Sequence, residues 1–132
     1  VTDPFATVAV SLTAPAEVVL GDTATFVLNV TNLTRRYVTL PTARDFVPFD
    51  VLVEDESGTL VWRAAAGPRI WGDSPISVGP SSTATLTLRW TLRDLAGDPV
   101  TPGSYRVTGM LRDQYGRAAI TTLPADLQVL ER

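Results

Sequence analysis

The stretch Phe49-Asp50-Val51-Leu52-Val53-Glu54-Asp55-Glu56-Ser57-Gly58-Thr59-Leu60-Val61-Trp62-Arg63 sets two apolar runs on either side of an acidic turn. Each run is short and rich in β-branched or aromatic residues, so residues 49–54 and 60–64 are expected to be strands rather than pieces of helix. Glu56-Ser57-Gly58 joins them with turn chemistry, which predicts a hairpin with a solvated acidic tip.

The same signature extends in both directions. Upstream, Val8, Val10 and Leu12 alternate before Pro15. Gly21-Asp22 turns the chain into a strand with Ala24, Phe26, Leu28 and Val30 on one face, ended by Asn32. Tyr37, Val38 and Leu40 form a short strand before Pro41. Downstream, residues 83–92 carry Ala84, Leu86, Leu88, Trp90 and Leu92 in register, and Tyr105, Val107, Gly109 and Leu111 repeat the period. Tyr115-Gly116 reads as a hairpin turn into residues 118–123, and residues 127–130 close the chain. No segment sustains a helical period. The expected fold class is therefore all-β, an immunoglobulin-like antiparallel β-sandwich of seven to nine strands, with residues 1–132 as one domain.

Two aromatic placements refine this expectation. Tyr105 follows Pro102-Gly103 at the start of a strand, where its hydroxyl can fold back onto the preceding crossover as a tyrosine corner. Trp62 and Trp90 lie within alternating strands and are expected to fill the core between the sheets.

Composition narrows the chemistry. The 132 residues include no cysteine and no histidine, and all eleven basic residues are arginine. Thiolate nucleophiles, the usual imidazole base and Schiff-base lysines are therefore excluded, which argues against an enzyme. Net charge is −3 without a basic cluster, so no nucleic-acid partner is expected. No apolar run is long enough for a helical membrane span, and no membrane insertion or cofactor is expected. Glu54-Asp55-Glu56 matches no calcium-loop spacing and reads as a solvated tip, so no metal is assigned. Asp94 and Asp98 around Gly97 read as turn chemistry. Asn29-Val30-Thr31 and Asn32-Leu33-Thr34 match glycosylation sequons, but a strand ended by an Asn-stabilised turn accounts for both.

Residues 64–75 are the least explained segment. Arg69, Ile70 and Trp71 lie there between Gly67-Pro68 and Gly72-Asp73, and arginine and large aromatics dominate interface hot spots. They form the first candidate contact loop, against the alternative that Trp71 plugs the open end of the sandwich. Arg44 and Phe46, in extended backbone before Pro48, form the second.

From about residue 26 to 111 the chain resembles the BsuPI family, the bacterial intracellular proteinase inhibitor domain. The resemblance is carried by Phe49-Asp50-Val51 followed by an Asp-x-x-Gly turn and Val61-Trp62-Arg63, then Trp90, then Gly103 and Tyr105. The chain departs from the family pattern at Pro41-Thr42-Ala43-Arg44, Ala64-Ala65 and Gly79-Pro80, in or near loops. The resemblance implies an Ig-like sandwich that inhibits subtilisin-type serine proteases through exposed loops, and a cytoplasmic location. The alternative expectation is a structural or adhesive Ig-like module of a bacterial cell-envelope protein, exported if Val1 follows a removed segment. Both expectations describe a non-catalytic protein with a protein partner.

Overall fold

The computed structural model describes residues 4–40, 49–64, 76–112 and 117–132. A 3-10 turn, Pro4–Thr7, leads into strands β1 (Val8–Thr13), β2 (Glu17–Val19), β3 (Ala24–Asn32), β4 (Val38–Leu40), β5 (Phe49–Asp55) and β6 (Leu60–Arg63). There follow β7 (Ile76–Val78), β8 (Thr83–Trp90), β9 (Gly103–Arg112), β10 (Ala118–Thr121) and β11 (Ala125–Leu130).

The described residues thus form eleven strands, where seven to nine were expected. The two additions are β2 and β7, three residues each, too short to show an alternation of their own. The strand expected over residues 118–123 stops at Thr121, ahead of Pro124. The turn expected at Tyr115-Gly116 lies outside the described residues.

One sheet has the order β1-β3-β8, and the larger one runs β2-β11-β9-β5-β6 with β10 also on β9. β4 and β7 form a separate antiparallel pair. All pairings are antiparallel except β2 with β11, which run parallel. The chain crosses repeatedly between the two larger sheets, from β1 to β2 to β3 and again from β8 to β9, and the sheets face each other across one core, the Ig-like arrangement.

Side-chain alternation explains the core directly. In β3, Ala24, Phe26, Leu28 and Val30 are fully buried, and across the core Phe49, Val51, Val53, Val107 and Leu111 are buried from β5 and β9. The predicted aromatic cluster forms between the sheets. Ring centroids of Trp62 and Trp90 lie 5.9 Å apart, and Phe26 stacks 6.4 Å from Trp90. Tyr105 meets Trp90 edge-on at 5.9 Å, and its hydroxyl donates to the Thr101 carbonyl at 2.5 Å. That bond is the expected tyrosine corner, pinning the β8–β9 crossover to the start of β9.

At Gly109 the facing sheet comes close enough to leave no room for a side chain. A Cβ built there would stand 2.5 Å from Leu28 Cδ2 and 3.2 Å from Thr122 Cγ2. Thr122 uses that space: its Oγ1 accepts from Gly109 N at 2.9 Å, and its own N donates to Gly109 O at 2.8 Å. The bare backbone of Gly109 therefore secures the break between β10 and β11.

Candidate functional site

The residues singled out for protease contact, Arg69, Ile70, Trp71, Arg44 and Phe46, lie outside the described residues. Segment 41–48 enters β5 at Phe49, segment 65–75 follows β6, and segment 113–116 leaves β9 after Arg112. β5 and β9 are antiparallel neighbours with Phe49 opposite Leu111, and β6 runs antiparallel on the other side of β5. The three segments are thus joined to one end of the larger sheet.

A buried ion cluster stands at that end. Alternation along β5 turns Asp50 to the face opposite Val51 and Phe49. Asp50 is nevertheless fully buried. Its Oδ2 accepts from the Arg63 guanidinium at 2.6 Å and from Arg112 at 3.1 Å. The register explains the meeting: Arg63 pairs with Leu52, two residues from Asp50, and Arg112 lies two beyond Met110, its partner on β9. Both arginines are therefore diagonal neighbours on one face. A buried carboxylate costs several kcal/mol unless paired in good geometry, so Asp50 depends on these partners. Arg63 Nε is buried without a hydrogen-bond partner among the described residues.

Asn32 holds the adjoining corner. It is 1% exposed, its Nδ2 donates to the carbonyls of Arg36, Val78 and Gly79, and its Oδ1 accepts from Thr34 N and Oγ1. The second sequon is thus an Asn-stabilised turn, as expected. In the first, Asn29 Oδ1 accepts from Thr85 Oγ1 on β8.

At the opposite end, the tip of the hairpin is built by Asp55. Its Oδ1 accepts from Ser57 N and Thr59 N, while Gly58 takes a φ of 82°, the left-handed conformation that glycine adopts without a Cβ penalty. Asp94 repeats the device, accepting from Ala96 N and Asp98 N. Both acidic turns are therefore turn chemistry, as read from sequence. No group of three metal-ligating side chains occurs among the described residues.

Leu95 N donates to Val61 O at 3.0 Å, which docks the β8–β9 crossover against β6. Between them opens a cleft of about 430 Å³, lined by Leu60, Val61, Leu95, Pro99, Val100 and Tyr105 with Asp55 and Asp94 among its walls. Nothing in the local sequence marked this cleft, because Leu60 and Leu95 meet only through the crossover.

No protein-family model matches the chain, and no curated protein matches it. Solved structures do. The CARDB domain of a Pyrococcus furiosus protein, in complex with di-metal ions, superposes with a TM-score of 0.54 at 20% identity, covering 95% of this chain and 94% of that one. The alkylpurine DNA glycosylase of Pseudomonas fluorescens gives 0.55 at 13% identity, with 93% of this chain matching 30% of the enzyme. A β-glucosidase of Listeria innocua gives 0.53 at 13% identity, with 93% of this chain matching 16% of it. At these identities the likeness establishes the fold: the chain is an Ig-like β-sandwich of the kind seen in a CARDB domain.

Proposed function

We propose that this chain is a non-catalytic Ig-like module that works through protein contacts, as a structural or adhesive element of a bacterial cell-envelope protein. The observation that carries the reading is the two-way coverage with a CARDB domain, 95% and 94%, which matches one whole module to another. The same sandwich forming only 30% or 16% of larger chains supports its use as a building block. The buried polar side chains support it too. Asn32, Asp50 and Thr122 are each engaged in tying strand to strand.

The second reading is inhibition of a subtilisin-type serine protease, as the BsuPI resemblance implies. It is favoured by the Asp50–Arg63 ion pair, which joins the two most specific parts of the resembling motif. That pair braces β5 and β6, the strands that carry the candidate contacts Arg44 and Phe46, and Arg69, Ile70 and Trp71. An inhibitory loop gains affinity from such a rigid mount, because less entropy is lost on binding.

Titration of the purified chain against a subtilisin-type protease separates the readings. The module reading expects peptide hydrolysis to continue undiminished at equimolar chain. Stoichiometric inhibition with the chain intact overturns it in favour of the inhibitor, and loss of that inhibition in Trp71→Ala then locates the contact.

A further inference from the structure

Five large apolar side chains are strongly exposed among the described residues, and four of them fall into two patches. Leu60 (38%) and Leu95 (53%) flank the cleft between β6 and the β8–β9 crossover. Leu33 (66%) and Tyr37 (76%) stand on the turn after β3, on either side of the exposed Arg35 and Arg36. The cleft has Asp55 and Asp94 among its walls, whereas the turn exposes two cationic side chains beside its apolar ones.

The two patches lie at opposite ends of the molecule. β3 begins at Ala24 opposite Trp90, beside the cleft, and ends at Asn32, just before the turn. Eight steps of strand separate these points by roughly 27 Å. The patches therefore cannot meet within one chain. Like ends repel, acidic against acidic and cationic against cationic, whereas unlike ends match in both charge and apolarity.

We infer that a second copy of this chain docks head to tail, with Leu33 and Tyr37 of one copy entering the cleft of the next. Arg35 and Arg36 then face Asp55 and Asp94. One oxygen of each carboxylate caps its own turn, so the other oxygen can take the arginine. Such an interface is heterologous, uses different surfaces on the two copies, and extends as an open row unless the rotation closes it into a ring. The contact is small and its charge pairs are solvent-exposed, so association is weak and sensitive to salt. The inference is independent of whether the chain also meets a protease.

Sedimentation velocity over a wide concentration range tests it. At low salt the average mass should rise with concentration above that of one chain, and it should fall back at high salt. Leu95→Arg blocks the cleft and Tyr37→Glu blocks the projection; each variant alone should stay a single chain, with its near-ultraviolet circular dichroism unchanged. Mixed, they should form a 1:1 pair that does not grow, because each retains the surface the other lacks. A wild-type chain that remains single at every concentration overturns the inference, as does a mixture that forms no pair or a variant that associates like wild type. A single chain that instead binds an unrelated basic, aromatic peptide in the cleft gives that surface to another protein, and overturns the second copy as its occupant.

Discussion

Asp50 and Arg63, thirteen residues apart, close a 2.6 Å ion pair on the face of the larger sheet turned away from the main core, with the carboxylate fully buried. The pair joins β5 to β6, and Arg112 extends it to β9. Three neighbouring strands are thereby tied at the end of the sheet where β5 begins and β6 and β9 finish.

Removing the carboxylate should cost more than removing either arginine. Asp50→Asn leaves two guanidiniums facing an uncharged amide and should lower stability by about 3 kcal/mol. Arg63→Met should cost less, since Arg112 remains 3.1 Å from Asp50. Urea denaturation measures both. The double variant should lose less than the sum of the singles, and strict additivity would refute coupling between the two groups.

Tyr105→Phe removes the hydroxyl that bonds the Thr101 carbonyl while keeping the ring against Trp90. A loss of about 1–2 kcal/mol is expected, because the carbonyl is left without this partner. Thermal unfolding followed by circular dichroism reads it as a lower Tm. An unchanged Tm would mean that the tyrosine corner contributes nothing to this fold.

Gly109→Ala places a methyl group against Leu28 Cδ2 and Thr122. Overpacking of this kind typically costs about 1–3 kcal/mol, and Gly109→Val should be worse. Adding Leu28→Ala to Gly109→Ala should recover part of the loss that the two single substitutions predict together. Stability measured by urea unfolding across the three variants tests whether the sheets meet where the backbone is bare.

Asn32→Asp is nearly isosteric yet reverses the hydrogen-bond polarity at the side chain's nitrogen. Its oxygen would face the carbonyls of Arg36, Val78 and Gly79, which now accept from Nδ2. Asn32→Asp should therefore destabilise by about 3 kcal/mol, and more than Asn32→Ala, which leaves the three carbonyls and the Thr34 donors without this partner but sets no oxygen against oxygen. Equal losses in the two variants would show that this amide is not the clamp on the β7–β8 connection.

Much of the fold was legible because strands advertise themselves locally. The alternation of Ala24, Phe26, Leu28 and Val30 is a property of consecutive residues, and so is the Ser57-Gly58 turn. β2 and β7 were not legible, because such short strands depend on their partners; β2 exists through parallel pairing with β11, more than a hundred residues away. The cleft was hidden for a similar reason. Leu60 and Leu95 look unremarkable in sequence and become one surface only when the crossover bonds to Val61.

What the sequence determined by itself was the class of structure and the limits of its chemistry. Period-two patterning selects strands, Gly, Pro and Asn separate them, and a chain without histidine, cysteine or lysine lacks the usual reacting groups. Tertiary structure alone decided which polar residues were buried and which apolar ones stayed outside. Asp50 and Glu54 lie on the same face of β5, yet Asp50 is fully buried between two arginines while Glu54 remains partly open beside the hairpin. The difference depends on strand register, which brings Arg63 and Arg112 diagonally beside Asp50 from strands on either side.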